Sequence, residues 1–181
     1  MQPPILHRRQ LDCSKGPMQI TTAEFRKALG HFPTGVTVLT DMREIGRVHG
    51  MTASSFTSVS LEPLQILVCV DHRALTHRFL NERRDFGVNI LAEDQEAMAR
   101  FFAQPEQESE DAERLGVAFL SSRRGSPLLD GSLVHLDCKL VTTVESGDHS
   151  IFIGEVLDMK VHKGRPLIFH LGQFRKFDVG G

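Results

Sequence analysis

Six small hydroxyl side chains crowd one stretch of the chain: Thr52, Ser54, Ser55, Thr57, Ser58 and Ser60, behind the strand-like run Gly46–Met51. Hydroxyls offer donors and acceptors with little bulk, so a ligand can come close to the backbone between them. A phosphate, or the edge of a flat polar ring, suits such a surface. An exposed edge strand or a Ser-rich loop is the competing reading, because the same residues gather in turns for local reasons. Arg73 opens a segment of helical spacing. A cation beside a helix N-terminus clamps phosphate, or it is simply a surface arginine. Asn89 lies inside an apolar run, and its amide needs a partner, either a ligand or backbone. Gly147-Asp148-His149 lies between two strand-like runs, where Gly-Asp alone reads as a hairpin turn.

No metal is expected. His135, Asp137 and Cys138 carry ligand chemistry, but strand alternation puts Cys138 on the face opposite the other two. His162 and His170 read as surface or barrel-mouth residues. The three cysteines, Cys13, Cys69 and Cys138, form no CxxC and sit mostly in apolar settings. They read as buried thiols in a reducing cytoplasm. Trp and Tyr are absent, so any ring stacked on a ligand is Phe or His.

The elements that must position these residues follow from spacing. Thr21 and Glu24 form a capping-box pair ahead of Phe25, Ala28, Leu29 and Phe32, one face of a short helix that Pro33 ends. Strands are expected at Val36–Thr40 and, after a turn near Arg43–Gly46, up to Met51. Leu64–Val70 is a continuous apolar run, read as a strand buried on both faces. Helices are expected over His72–Glu82 and Asp94–Ala103, and a strand over Phe86–Leu91. The polar run Gln104–Glu113 reads as a solvated loop with no binding role. Ser132–Glu145 alternates, with Val134, Leu136, Cys138, Leu140 and Val144 on one face. His149–Val161 and Pro166–Leu171 complete the strands. Many strands, few helices and no Gly-rich βαβ turn favour an antiparallel barrel over a Rossmann domain.

The chain has 181 residues, enough for one domain with a sizeable core. Apolar residues are 40% and charged residues 24%, a soluble globular balance. A net charge of −2 gives no pull toward nucleic acid or an anionic membrane. No apolar run approaches the roughly 20 residues of a membrane helix. Residues 1–19 lack the apolar core of a signal peptide and read as a loose extension, leaving 20–181 as the domain. Met18 is an alternative start.

Seven segments, in order, resemble one family: Phe25–Gly30, Phe32–Val38, His49–Phe56, Ser58–Pro63, Val88–Leu91, Gly147–His149 and Phe152–Val156. They are similar to the flavin reductase-like family, the short-chain NAD(P)H:flavin oxidoreductases that serve two-component monooxygenases. The resemblance implies a mainly β, FMN-binding split β-barrel of Greek-key type with a few flanking helices. It implies a homodimer with flavin at or near the subunit interface. Pro33, Thr34, Gly35, Val36, Thr37 and Val38 match the first flavin-contacting segment, which otherwise reads as a helix-to-strand turn. Thr52, Ala53, Ser54 and Ser55 match the ring edge and ribityl segment, with Ser58, Val59 and Ser60 nearer the phosphate. Arg73 and Asn89 are the further flavin candidates. Gly147, Asp148 and His149 match the segment associated with nicotinamide dinucleotide binding.

The implied activity is reduction of FAD or FMN by hydride from NADH, with NADPH the other candidate, to supply a partner oxygenase acting on an aromatic or similar substrate. The run His49–Ala53 is closest to relatives that act with phenol-type hydroxylases, which favours NADH and FAD. Hydride transfer to flavin needs no charged triad, and none is visible. His149 would stack on or bond to the nicotinamide half, with Asp148 fixing the loop or the ring. In the closing segment, relatives often carry a hydroxyl-bearing aromatic where Phe174 stands, so that hydrogen bond is missing. A non-catalytic flavin carrier or sensor is the alternative, and a pyridoxamine-phosphate-type oxidase a third. The intact nicotinamide segment argues against the former, and the lack of a basic cluster against the latter.

Overall fold

The structure is a computed structural model that describes residues 19–44, 47–105, 107 and 114–176. Expectations for residues 1–18, 45–46, 106, 108–113 and 177–181 fall outside them. Thr21 caps helix α1 (Thr22–Leu29). Its hydroxyl accepts the Glu24 N–H at 3.2 Å, and the Glu24 carboxylate accepts the Thr21 N–H at 2.9 Å. Thr21 Oγ1 also donates to that carboxylate at 2.8 Å, and the two bonds it accepts, the backbone one first, hold the Glu24 carboxyl below its usual range. Among the described residues the apolar side of α1 is left largely uncovered: Phe25 and Leu29 are 54% and 58% exposed.

The chain continues through β1 (Thr34–Gly35), β2 (Thr37–Glu44), β3 (Arg47–Ala53), β4 (Phe56–Leu61), β5 (Leu64–Asp71) and α2 (Leu75–Arg83). Next come β6 (Asp85–Ile90), α3 (Glu96–Phe102), β7 (Phe119–Ser121), β8 (Pro127–Leu129), β9 (Val134–Ser146) and β10 (His149–Val161). The last strands are β11 (Leu167–His170) and β12 (Gln173–Lys176). Seven strands form one antiparallel sheet in the order β3-β2-β6-β9-β10-β5-β4. Laid flat, its edge strands would stand about 29 Å apart. Yet β3 and β4 are consecutive and joined by Ser54 and Ser55 alone, a link of about 10 Å at most. The sheet must therefore curl until its edges nearly meet. A barrel split between β3 and β4 results, the mainly β architecture expected. A small sheet, β1-β11-β12, and the hairpin β7-β8 lie outside it.

Two cores flank β2. Leu39 points into the barrel with Val68, Phe86, Cys138 and Phe152. Val36 and Val38 point outward to Ala99, Phe102 and Leu167. This corrects the expectation that Leu64–Val70 is the strand buried on both faces. In β5 only Ile66, Val68 and Val70 are buried, while Leu67 and Cys69 are half-buried and Leu64 is exposed. A second correction concerns Val144, which is 45% exposed. The β9–β10 register shifts between Leu140 and Thr142. One extra residue there reverses the alternation beyond it.

The hairpin β7–β8 covers the far face of β6 and β9, so His135 and Asp137 are buried too. His135 Nε2 donates to Leu129 O at 2.8 Å, and Ser126 Oγ donates to Asp137 Oδ1 at 2.8 Å. Cys138 lies in the barrel core instead, and burial pushes its thiol up to about 12. Gly87 is what lets β8 approach. A Cβ there would stand 2.5 Å from both Pro127 O and Thr40 Oγ1. No helix among the described residues is long and apolar enough to cross a membrane.

Candidate functional site

The split in the barrel is where the hydroxyl-rich segment lies. Two clefts flank it and share Ser54. One, about 590 Å³, is lined by Phe32, Thr34, Gly35, Thr37, Ser54, Ser55 and Phe56, among others. Its neighbour, about 460 Å³, is lined by Val36, Thr52, Ala53, Ser54, Arg100, Phe169 and Phe174, among others. Both volumes suit a drug-sized or cofactor-sized ligand. Thr34 Oγ1 is buried there without a hydrogen-bond partner among the described residues, a state that folded proteins seldom leave uncompensated. A Cβ built on Gly35 would meet nothing within 4 Å, so that backbone is open to a flat ligand.

Some hydroxyls of the cluster, and that of neighbouring Thr37, are already engaged. Thr52 Oγ1 donates to Ala99 O on α3 at 2.7 Å. Thr37 Oγ1 donates to Ala53 O at 2.8 Å. Ser55 Oγ donates to Cys69 O at 2.9 Å and accepts the Cys69 N–H at 3.1 Å. These bonds seal the barrel beside the split. Ser54 stays exposed at the junction of the clefts. Ser58, Val59 and Ser60 continue along edge strand β4. Ser58 stands about 13 Å beyond Ser54 at strand spacing.

A third cleft, about 580 Å³, shares Thr52, Ala103 and Gln104 with the second. His49, Asp71, Arg73, Thr76 and Gln107 line it as well. His49 is pinned by Thr76, 3.0 Å away, and the Gln107 side chain donates to Gly50 O at 2.7 Å. Asp71 accepts from Arg73 three times, from the backbone N–H at 2.8 Å, from Nε at 3.1 Å and from Nη2 at 2.7 Å. The guanidinium holds the Asp71 carboxyl well below the usual carboxylate range, and Asp71 raises the guanidinium in turn.

In the β5–β10 register Asp71 is the partner of His149, so the Gly147–Asp148 turn hangs at the mouth of this cleft. The turn is a two-residue hairpin connection, with Gly147 at φ 62°, a backbone state glycine adopts without strain. His149 Nδ1 donates to Asp148 Oδ1 at 2.7 Å. That bond, first among the causes, keeps the Asp148 carboxyl below its ordinary range. The chain also ties the turn down through the His72 N–H, which donates to Asp148 O at 3.1 Å.

Thus the fold gathers Thr34–Thr37 and Thr52–Ser55 at the split, beneath exposed Pro33, and sets Arg73 beside Gly147, Asp148 and His149. Five candidates do not join them: Ser58, Val59 and Ser60 run on along β4, and Val38 and Asn89 are built into the fold. Val38 is fully buried in a strand paired on both sides, and its carbonyl accepts from Asn89 Nδ2 at 2.9 Å. Asn89 is itself fully buried. It also donates to Thr40 Oγ1 at 3.0 Å and accepts the Leu129 N–H at 2.7 Å. Its amide is spent on the fold, so it is removed from the ligand candidates.

Sequence reasoning missed several lining residues. Arg100 lies 4.9 Å over the Phe174 ring and pairs with Glu96 at 2.7 Å. Gln104, Pro105 and Gln107 line a cleft although their run reads as solvent loop. Their only sequence signal, a position just after a helix with apolar spacing, is common.

A family model described as a flavin reductase like domain matches residues 29–178. A Rhodococcus NADH-dependent flavin reductase is 41% identical over 165 residues, covering 90% of each chain. The reductase component of a Rhodococcus opacus 4-nitrophenol 4-monooxygenase/4-nitrocatechol 2-monooxygenase is 36% identical, over 86% of this chain and 80% of its own. The solved Streptomyces globisporus C-1027 NADH:FAD oxidoreductase SgcE6, in complex with NAD and FAD fragments, matches with a TM-score of 0.79 at 37% identity. That match covers 87% of this chain and 93% of the other. The chain belongs to the flavin reductase-like family.

Proposed function

We propose that the protein is an NADH-dependent flavin reductase that hands reduced FAD or FMN to a separate oxygenase component. The observation that carries this reading is the split itself. It is an open seam with hydroxyl and glycine backbone on its rim, a Thr34 hydroxyl buried without a partner among the described residues, and the third cleft leading to Arg73 and the His149 turn. Bound there, flavin supplies the electron sink for hydride. The chain binds and orients. Pro33–Thr37 and Thr52–Ser55 hold the ring, and Ser58, Val59 and Ser60 reach toward the phosphate end. Arg73, Gly147, Asp148 and His149 hold the nicotinamide dinucleotide, with Asp148 fixing the His149 ring. Neither this reading nor the chemistry asks His149 to give up a proton.

The test is anaerobic mixing of the protein with excess flavin and NADH. Many NADH molecules oxidised per chain is the expected result, whereas flavin retained without reduction would leave a carrier. His149→Ala is expected to raise KM for NADH about tenfold, with flavin affinity unchanged. Equal KM values in the two proteins would remove His149 from the nucleotide site.

A second copy of the chain covers the exposed apolar side of α1 and the rim at Phe32, which is 75% exposed and lines a flavin cleft. Burying such side chains stabilises by about 1.5–3 kcal/mol each. Sedimentation is expected to give twice the 20.3 kDa chain mass, and a monomer would sink the dimer. The described cysteines, Cys69 and Cys138, stand as free thiols, and burial raises the pKa of both. That fits a reducing compartment, the cytoplasm.

A further inference from the structure

Beside the β9–β10 turn, three side chains from three elements converge. They are His72 on the turn before α2, His77 within α2, and Glu145 near the end of β9. One ligand atom from each lies within 4.8 Å of the others. His72 Nε2 stands 2.9 Å from Glu145 Oε2. His77 Nε2 stands 2.8 Å from Ser150 Oγ, which donates to Glu145 Oε1 at 3.0 Å. Both imidazoles therefore present a ring nitrogen to the same carboxylate, one directly and one through a hydroxyl. The two rings meet edge-on at 5.1 Å, and His77 is braced by Phe152 at 5.2 Å.

We propose that His72, His77 and Glu145 bind one divalent transition-metal ion of the zinc class, at a site separate from the flavin clefts. Two imidazoles and one carboxylate, with a fourth position for water, are a recurrent zinc donor set. Their nitrogen-rich mixture selects zinc, cobalt or nickel over magnesium or calcium. At metal–ligand distances of about 2.1 Å, tetrahedral ligands lie about 3.4 Å apart. The cluster brackets that spacing. His72 and Glu145 have the freedom to reach it, because their side chains are 37% and 68% exposed. The ion replaces the Ser150 hydroxyl as the partner of His77 Nε2, and Ser150 keeps its bond to Glu145. Ser150 is then a positioning residue for the carboxylate. Glu145 lies two residues before Gly147, and the His72 N–H already binds Asp148 O. An ion here fastens the turn to α2 from both sides.

The expectation of no metal weighed only the run His135–Cys138. The three side chains come together only in the fold, where the end of β9 lies beside α2. The site does not depend on the flavin reading, and its test reads the metal directly. Untagged full-length protein is dialysed against zinc chloride and the bound metal is counted. One zinc per chain is expected, and cobalt in its place is expected to show the strong visible bands of a tetrahedral ion. His72→Ala and Glu145→Gln are each expected to weaken binding at least about tenfold. His31→Ala, a change at an exposed histidine elsewhere, is expected to leave it unchanged. Proton NMR of the unaltered chain is expected to show zinc shifting the ring signals of His72 and His77, which needs no variant to fold. No uptake, uptake indifferent to both substitutions, or unshifted ring signals would each overturn the proposal.

Discussion

Alanine at Asn89 lowers unfolding free energy by about 3 kcal/mol or more and leaves the flavin affinity of the folded protein unchanged. The amide is fully buried and makes three hydrogen bonds. Alanine strands the Leu129 N–H, a buried donor whose loss alone costs about 1–3 kcal/mol. Thr40 Oγ1 loses its donor while still bound to Pro127 O, and a small void opens between β6 and β8. These bonds tie the hairpin β7–β8 to the sheet beside those of His135 and Asp137, so the hairpin loosens. Aspartate keeps an acceptor for Leu129 but sets a buried charge against the Val38 carbonyl, so it destabilises as well. Urea unfolding at constant m reads the first effect, and flavin titration of the folded protein the second. A small stability change with a tenfold loss of flavin affinity would return Asn89 to the ligand.

Asn89 also marks where sequence reading ran out. A polar residue in an apolar run calls for a partner, but its partners Val38, Thr40 and Leu129 are 40 to 51 residues away. No local pattern distinguishes them from a ligand. The capping box at Thr21–Glu24 was legible because all its partners lie within one turn. Most strands of the barrel were legible, β9 from alternation, β2 from its β-branched residues and β5 from its apolar run, while β4 read equally as an edge strand or a Ser-rich loop. The hairpin β7–β8 and strand β12 were not, since three or four residues carry no readable period. The phase of β9 failed beyond Leu140 for a similar reason, because a one-residue bulge leaves no mark in composition. Gly147-Asp148 was legible as a hairpin turn, and the backbone bears that out. The turn is a plain hairpin by backbone, and it carries His149 to a cleft mouth. What sequence reading could not supply was convergence. Ser54 matters because edge strands β3 and β4 meet at it, and Glu145 because β9 ends beside α2. Both facts belong to the curled sheet rather than to any segment of it.

Tryptophan at Ser54 weakens flavin binding by at least about 100-fold, close to 3 kcal/mol, with little change in stability. Ser54 is exposed, so the larger side chain displaces no core atom, and substitutions at such positions usually shift stability by about 0.5 kcal/mol or less. It is also the residue shared by the two clefts of about 590 and 460 Å³ at the split. An indole growing from it competes with a flat ring for the space where the two clefts meet. The effect is steric and therefore one-sided. Ser54→Ala removes a single hydroxyl from a rim of backbone groups and costs about tenfold at most. Tryptophan at Ser121, exposed on the β7–β8 hairpin, controls for surface aromatic character and leaves affinity unchanged. Equilibrium titration of FAD and FMN by fluorescence reads all three variants. The Ser54→Trp protein is also expected to oxidise NADH no faster than buffer, because the hydride has no acceptor held in place. If it binds flavin normally, the ring does not lie in the split, and the cleft of His49, Arg73 and Gln107 becomes the place to look for it.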